Sequence, residues 1–108
     1  ACDAIMILAE HYAKYAEKLA GACTEEKRKA ELLQIAENCR VVPAHKPKTY
    51  WQAIQMYWFV HLGVTSELNP WDSYSPGRLD QHLIRFYRKD VDDGILDDDK
   101  AKELLECL

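Results

Sequence analysis

The segment that most constrains the fold runs from residue 50 to residue 64 and reads YWQAIQMYWFVHLGV. Wound as a helix, it places large apolar side chains on almost every face, and such a helix must be buried on all sides. The run is about fifteen residues long, which is shorter than the roughly twenty apolar residues of a membrane-spanning helix. We therefore predict a buried core helix, and a chain of 108 residues can hardly cover such a helix alone.

The composition is that of a water-soluble, helical protein. The chain is 48% hydrophobic and 30% charged, and only four Gly and four Pro favour helices over a turn-rich β fold. Its net charge of -4 argues against a nucleic-acid surface, which would show clustered Lys and Arg. We expect a cytoplasmic protein that does not contact membranes, because no signal peptide precedes the first helix. The four cysteines lack zinc-site spacing and are expected as buried thiols in a reducing compartment, with disulfides or metal binding as the alternative.

Apolar periodicity and capping residues predict five helices and no strand. We expect Thr24, Ser75 and Asp97 as N-caps, and Thr49 with Gln52 as a capping box. The predicted helices cover residues 1–22, 24–40, 49–65, 75–93 and the segment from 97 onward. In the first of them the predicted buried face comprises Ile5, Leu8, Tyr12, Tyr15, Ala16 and Leu19.

The apolar periodicity of the first and last helices continues up to Ala1 and Leu108, and no capping residue precedes Ala1. We therefore expect residues 1–108 to be a single helical segment of a larger protein. In isolation, this segment is expected to self-associate because its third helix lacks cover. The alternative is a free-standing interaction module that docks its apolar helix against a partner helix.

A short polar loop follows the apolar helix and contains Asn69, Trp71, Asp72 and Ser73. Loops on a rigid framework often carry binding residues. A carboxylate beside an indole ring suits recognition of a hydroxyl or an amine on a small substrate. The structural alternative is that Asp72 caps a turn and Trp71 fills the core, and the residues alone favour this alternative.

Three further polar residues flank the loop. Arg78 and Asp80 form either a structural ion pair or hydrogen bonds that brace the loop, for which an Arg guanidinium is well shaped. His61 lies on the apolar helix, where a core histidine with satisfied hydrogen bonds is the usual interpretation. The sequence contains no H-E-x-x-H metal motif and no Gly-rich phosphate loop, and we predict no metal site and no catalytic residue.

Several motifs follow one another in the second half of the chain. These are VPAHKPKTYWQA, WFVHLG, ELN and SPGRLDQH, and they are flanked by DAIMILAEHYA and LLECL. Together they resemble the pyruvate formate-lyase-like glycyl radical enzymes, in the branch that holds the glycerol, choline and hydroxyproline lyases and dehydratases. The resemblance covers essentially the whole chain, and its motifs are specific only in combination.

The resemblance implies an all-α segment of about five helices, taken from the helical shell around a ten-stranded β/α barrel. In this family a glycyl radical generates a cysteine thiyl radical, which takes a hydrogen atom from a small polar substrate. The segment itself is expected to bind no cofactor. The parent enzyme would carry the glycyl radical, installed by an activating enzyme that uses S-adenosylmethionine and an iron–sulfur cluster. The implied partners are the remainder of the parent enzyme, the substrate and the activating enzyme.

The chain departs from the family at both reactive residues. The family's catalytic Cys lies in a G-C-x-E motif and its radical Gly in an R-V-x-G-[FWY] motif, and neither occurs here. The segment is therefore expected to be inactive alone. Hydroxyproline-type members resemble N-x-W-D at the position of Asn69–Asp72, whereas glycerol-type members resemble N-G-H-S. By this resemblance Asp72 contacts substrate and Trp71 shapes the pocket, and the expected supports are Asn69, Ser73, Arg78, Asp80 and His61.

Overall fold

The computed structural model describes residues 2–67 and 75–108, and these form five α-helices without a strand. The helices are α1 (Cys2–Ala22), α2 (Glu26–Val41), α3 (Tyr50–Glu67), α4 (Leu79–Asp92) and α5 (Asp98–Glu106). This confirms the predicted all-helical class. The chain divides into two compact units, residues 1–46 and 47–108, so that the single domain stays a prediction. Within the described ranges, no helix combines the length and hydropathy needed to cross a membrane.

In the first unit, α1 packs against α2 and buries a stripe of small side chains. The stripe recurs every three or four residues and comprises Ala9, Ala13, Ala16 and Ala20. The predicted buried face of α1 is wrong for Tyr12, Tyr15 and Leu19, which are exposed. Alanine allows two helix backbones to approach closely, and the larger side chains point elsewhere. Arg40 of α2 donates a hydrogen bond to Glu17 of α1, which lowers the pKa of that carboxyl.

The predicted caps at Thr24 and Ser75 are wrong. α2 begins at Glu26, one residue too far along the chain for Thr24 to be its N-cap. Glu25 is the N-cap instead, and the Glu25 side chain makes no capping hydrogen bond. α4 begins at Leu79 because Gly77 has a φ of 67°, which a right-handed helix cannot include. The Ser75 hydroxyl instead accepts a hydrogen bond from the Gly77 N–H at 3.3 Å. The Ser-Pro pair therefore forms a turn before the helix.

The capping residues predicted for α3 and α5 are confirmed. Thr49 Oγ1 accepts a hydrogen bond from Gln52 N at 3.1 Å, and Asp97 Oδ1 accepts one from Lys100 N at 2.8 Å. The Gln52 side chain reaches back to the backbone N–H of Lys48 at 2.9 Å rather than to that of Thr49. The start of α3 is thus fixed by both side chains of the predicted box.

In the second unit, α4 and α5 cover only part of α3. The core they share comprises Tyr50, Ala53, Ile54, Leu83, Ala101 and Leu104. Farther along α3, Phe59 is buried, while the neighbouring Trp58 and Val60 remain exposed. The other two helices of this unit therefore leave large apolar side chains of α3 exposed.

The buried phenol of Tyr50 leads to a prediction about alkaline pH. Its hydroxyl donates to the Ala101 carbonyl at 3.3 Å, and burial raises its pKa above the usual value of about 10. Because the fold favours the neutral phenol, its stabilisation is fully present below about pH 10 and is lost as the pH rises through the raised pKa. We expect a late-ionising component in a tyrosinate absorbance titration, and Tyr50→Phe should diminish that component. The exposed-tyrosine control Tyr15→Phe should leave it in place, and equal effects of the two substitutions would contradict the prediction.

Candidate functional site

The predicted substrate contacts lie outside the described residues. Asp72 and Trp71, together with Asn69 and Ser73, fall within residues 68–74. The structure describes the two flanks of this segment, namely the last turns of α3 and the turn that precedes α4. The structural description near the candidate site is therefore confined to these two flanks.

On the first flank, α3 continues to Glu67, two residues beyond its predicted end. The Thr65 hydroxyl donates to the His61 carbonyl at 2.9 Å, a bond that satisfies this polar side chain within the helix. The His61 ring stacks on Trp58, with centroids 5.9 Å apart and an interplanar angle of 20°, and lies 5.7 Å from the Tyr57 ring. Its Nδ1 is buried and has no hydrogen-bond partner within residues 2–67 and 75–108. The hydrogen bond that a core histidine is expected to make through Nδ1 is therefore absent within these ranges.

On the second flank, Arg78 and Asp80 form an ion pair, with Nε and Oδ1 3.6 Å apart and both side chains largely exposed. An exposed pair of this kind contributes about 0 to 1 kcal/mol. Arg78 is also the N-cap of α4, and its carbonyl accepts hydrogen bonds from Gln81 N and His82 N at 3.0 and 3.1 Å. The ion-pair alternative is observed, and a role for these residues in supporting the pocket stays a prediction.

The sequence interpretation missed a buried carboxylate, that of Asp90, whose side chain is only 2% exposed. Its Oδ2 accepts a hydrogen bond from Tyr50 N at 2.6 Å, and its carbonyl accepts from Ile95 N and Leu96 N at 3.0 and 3.2 Å. Asp90 therefore joins the end of α4 to the start of α3. A signal did exist, because Asp90 lies in the last turn of α4, where a carboxylate opposes the dipole of its own helix and needs another partner.

The residues of this chain fit neither reactive role of a glycyl radical enzyme. Gly21 and Gly63 lie inside helices, while Gly77 and Gly94 occupy turns with φ of 67° and 74°. None has the R-V-x-G-[FWY] setting, and none of the four cysteines has the G-C-x-E setting. In the described part of the chain, no three His, Cys, Asp or Glu side chains gather as they would around a metal ion. We therefore assign this segment no step of radical chemistry.

Comparison with known proteins identifies relatives along the whole chain. A family model described as pyruvate formate lyase-like matches residues 1–108. A trans-4-hydroxy-L-proline dehydratase from Clostridioides difficile is 65% identical over 108 residues, which are 100% of this chain and 14% of that enzyme. An isethionate sulfite-lyase from Bilophila wadsworthia is 41% identical over 107 residues, or 99% of this chain and 13% of that enzyme.

A solved structure agrees with these sequence relatives. The crystal structure of hydroxyproline dehydratase from Clostridioides difficile, with trans-4-hydroxy-L-proline bound, superimposes with a TM-score of 0.93 at 64% identity. The match covers 99% of this chain and 14% of that one. The chain thus spans about a seventh of the length of the relatives it matches, as expected for a helical segment of a glycyl radical enzyme.

Proposed function

This chain belongs to the pyruvate formate lyase-like family, and we propose that it is a part of a glycyl radical lyase or dehydratase that is inactive alone. In this proposal the five helices contribute to the helical shell of the parent enzyme. The segment between α3 and α4 contributes part of the substrate-pocket wall, with Asp72 as the substrate contact and Trp71 shaping the pocket.

We propose that the substrate is a small hydroxylated amino acid of the 4-hydroxyproline type. One observation carries this proposal: identity is 65% with the hydroxyproline dehydratase but 41% with the isethionate sulfite-lyase. The chemistry of Asp72 is compatible with it, because an ionised carboxylate only accepts hydrogen bonds. Trans-4-hydroxy-L-proline offers two donors, a hydroxyl and a ring ammonium, and either one can face Asp72.

In this proposal the described residues hold the segment that carries Asp72 in place and do not contact the substrate themselves. α3 begins at a double cap and is joined at its first N–H to Asp90 of α4, so that both flanks of residues 68–74 rest on one packed unit. Hydrogen-atom abstraction would be supplied by the glycyl radical of the parent, installed by an activating enzyme with S-adenosylmethionine and an iron–sulfur cluster in the cytoplasm. The alternative of a free-standing interaction module has no support in the relatives above, where the matching residues are about a seventh of an enzyme.

Substrate preference of the full-length, activated enzyme tests the proposal. We expect it to dehydrate trans-4-hydroxy-L-proline with a kcat/KM at least about 100-fold above that for glycerol or isethionate, because a pocket built around specific hydrogen bonds discriminates strongly. Product formation would be measured for the three compounds on one enzyme preparation of known radical content. Sulfite release from isethionate, preferred turnover of glycerol, or no consumption of hydroxyproline by the radical-loaded enzyme would overturn the proposed substrate.

A further inference from the structure

We draw no further inference here: the strongest candidate, the side-chain cluster of Tyr57, Trp58 and His61 on α3 with the buried Nδ1 of His61, carries nothing beyond the supporting role already predicted for His61, because no residue within the ranges 2–67 and 75–108 identifies the group that this nitrogen would meet.

Discussion

Asp72→Asn in the full-length enzyme is expected to lower kcat/KM for the preferred substrate by roughly 10- to 150-fold. Asparagine keeps the size of the side chain and removes its charge. A hydrogen bond to a charged group contributes about 1.5 to 3 kcal/mol, and about 1.4 kcal/mol corresponds to a tenfold change in rate. The measurement is steady-state kinetics on enzyme whose glycyl radical content has been quantified by electron paramagnetic resonance, so that a failure of activation is distinguished from a failure of substrate binding.

The matched control for this prediction is Asp92→Asn. It makes the same chemical change at an exposed residue at the C-terminal end of α4, and it should leave kcat/KM unchanged. If Asp72→Asn also leaves kcat/KM unchanged while the radical is intact, Asp72 is not a substrate contact. The structural alternative, in which Asp72 caps a turn, would then account for it.

Local sequence signals predicted the helical architecture well and the packing of its faces less well. The apolar run of α3 and the caps at Thr49 and Asp97 depend on residues three or four positions apart, so the sequence shows them directly. α1 carries two adjacent apolar stripes, one of alanines and one of larger residues such as Tyr12 and Tyr15. Which stripe is buried depends on how α2 packs against α1. Helical periodicity within α1 carries no information about that packing. The start of α4 was misplaced because the positive φ of Gly77 overrides the Ser-Pro start signal.

The roles of the candidate site residues depend on residues far away in the sequence even more strongly than the packing of the helix faces does. A carboxylate in a loop, such as Asp72, has many local uses, and the residues alone favoured a structural role. Only the family resemblance indicated a substrate contact, because the opposite wall of the pocket would come from other parts of the parent enzyme. Asp90 was missed for a related reason, since its partner Tyr50 is 40 positions away in the sequence. Contacts of this range have no periodic signature.

Asp90→Ala is expected to loosen the start of α3 by about 3 kcal/mol. The substitution leaves the Tyr50 N–H buried without its acceptor, and a hydrogen bond to a charged group contributes about 1.5 to 3 kcal/mol. It also removes a negative charge from the N-terminal end of a helix, where the helix dipole favours it by up to about 2 kcal/mol when the charge is buried. In native-state hydrogen exchange of the full-length enzyme, amides in the first turns of α3 should exchange about 100-fold faster.

Two variants separate the causes of this effect. Asp90→Asn keeps a carbonyl oxygen that can accept from Tyr50 N, so we expect a smaller loss of about 1 kcal/mol. Asp93→Ala is the control, because that exposed side chain forms an ion pair with Lys89 at 3.8 Å on the same helix end and should change exchange in α3 very little. If Asn costs as much as Ala, the charge of Asp90 rather than its hydrogen bond holds the helix start. Unchanged exchange in Asp90→Ala would show that the two caps at Thr49 and Gln52 are sufficient to hold α3 in place.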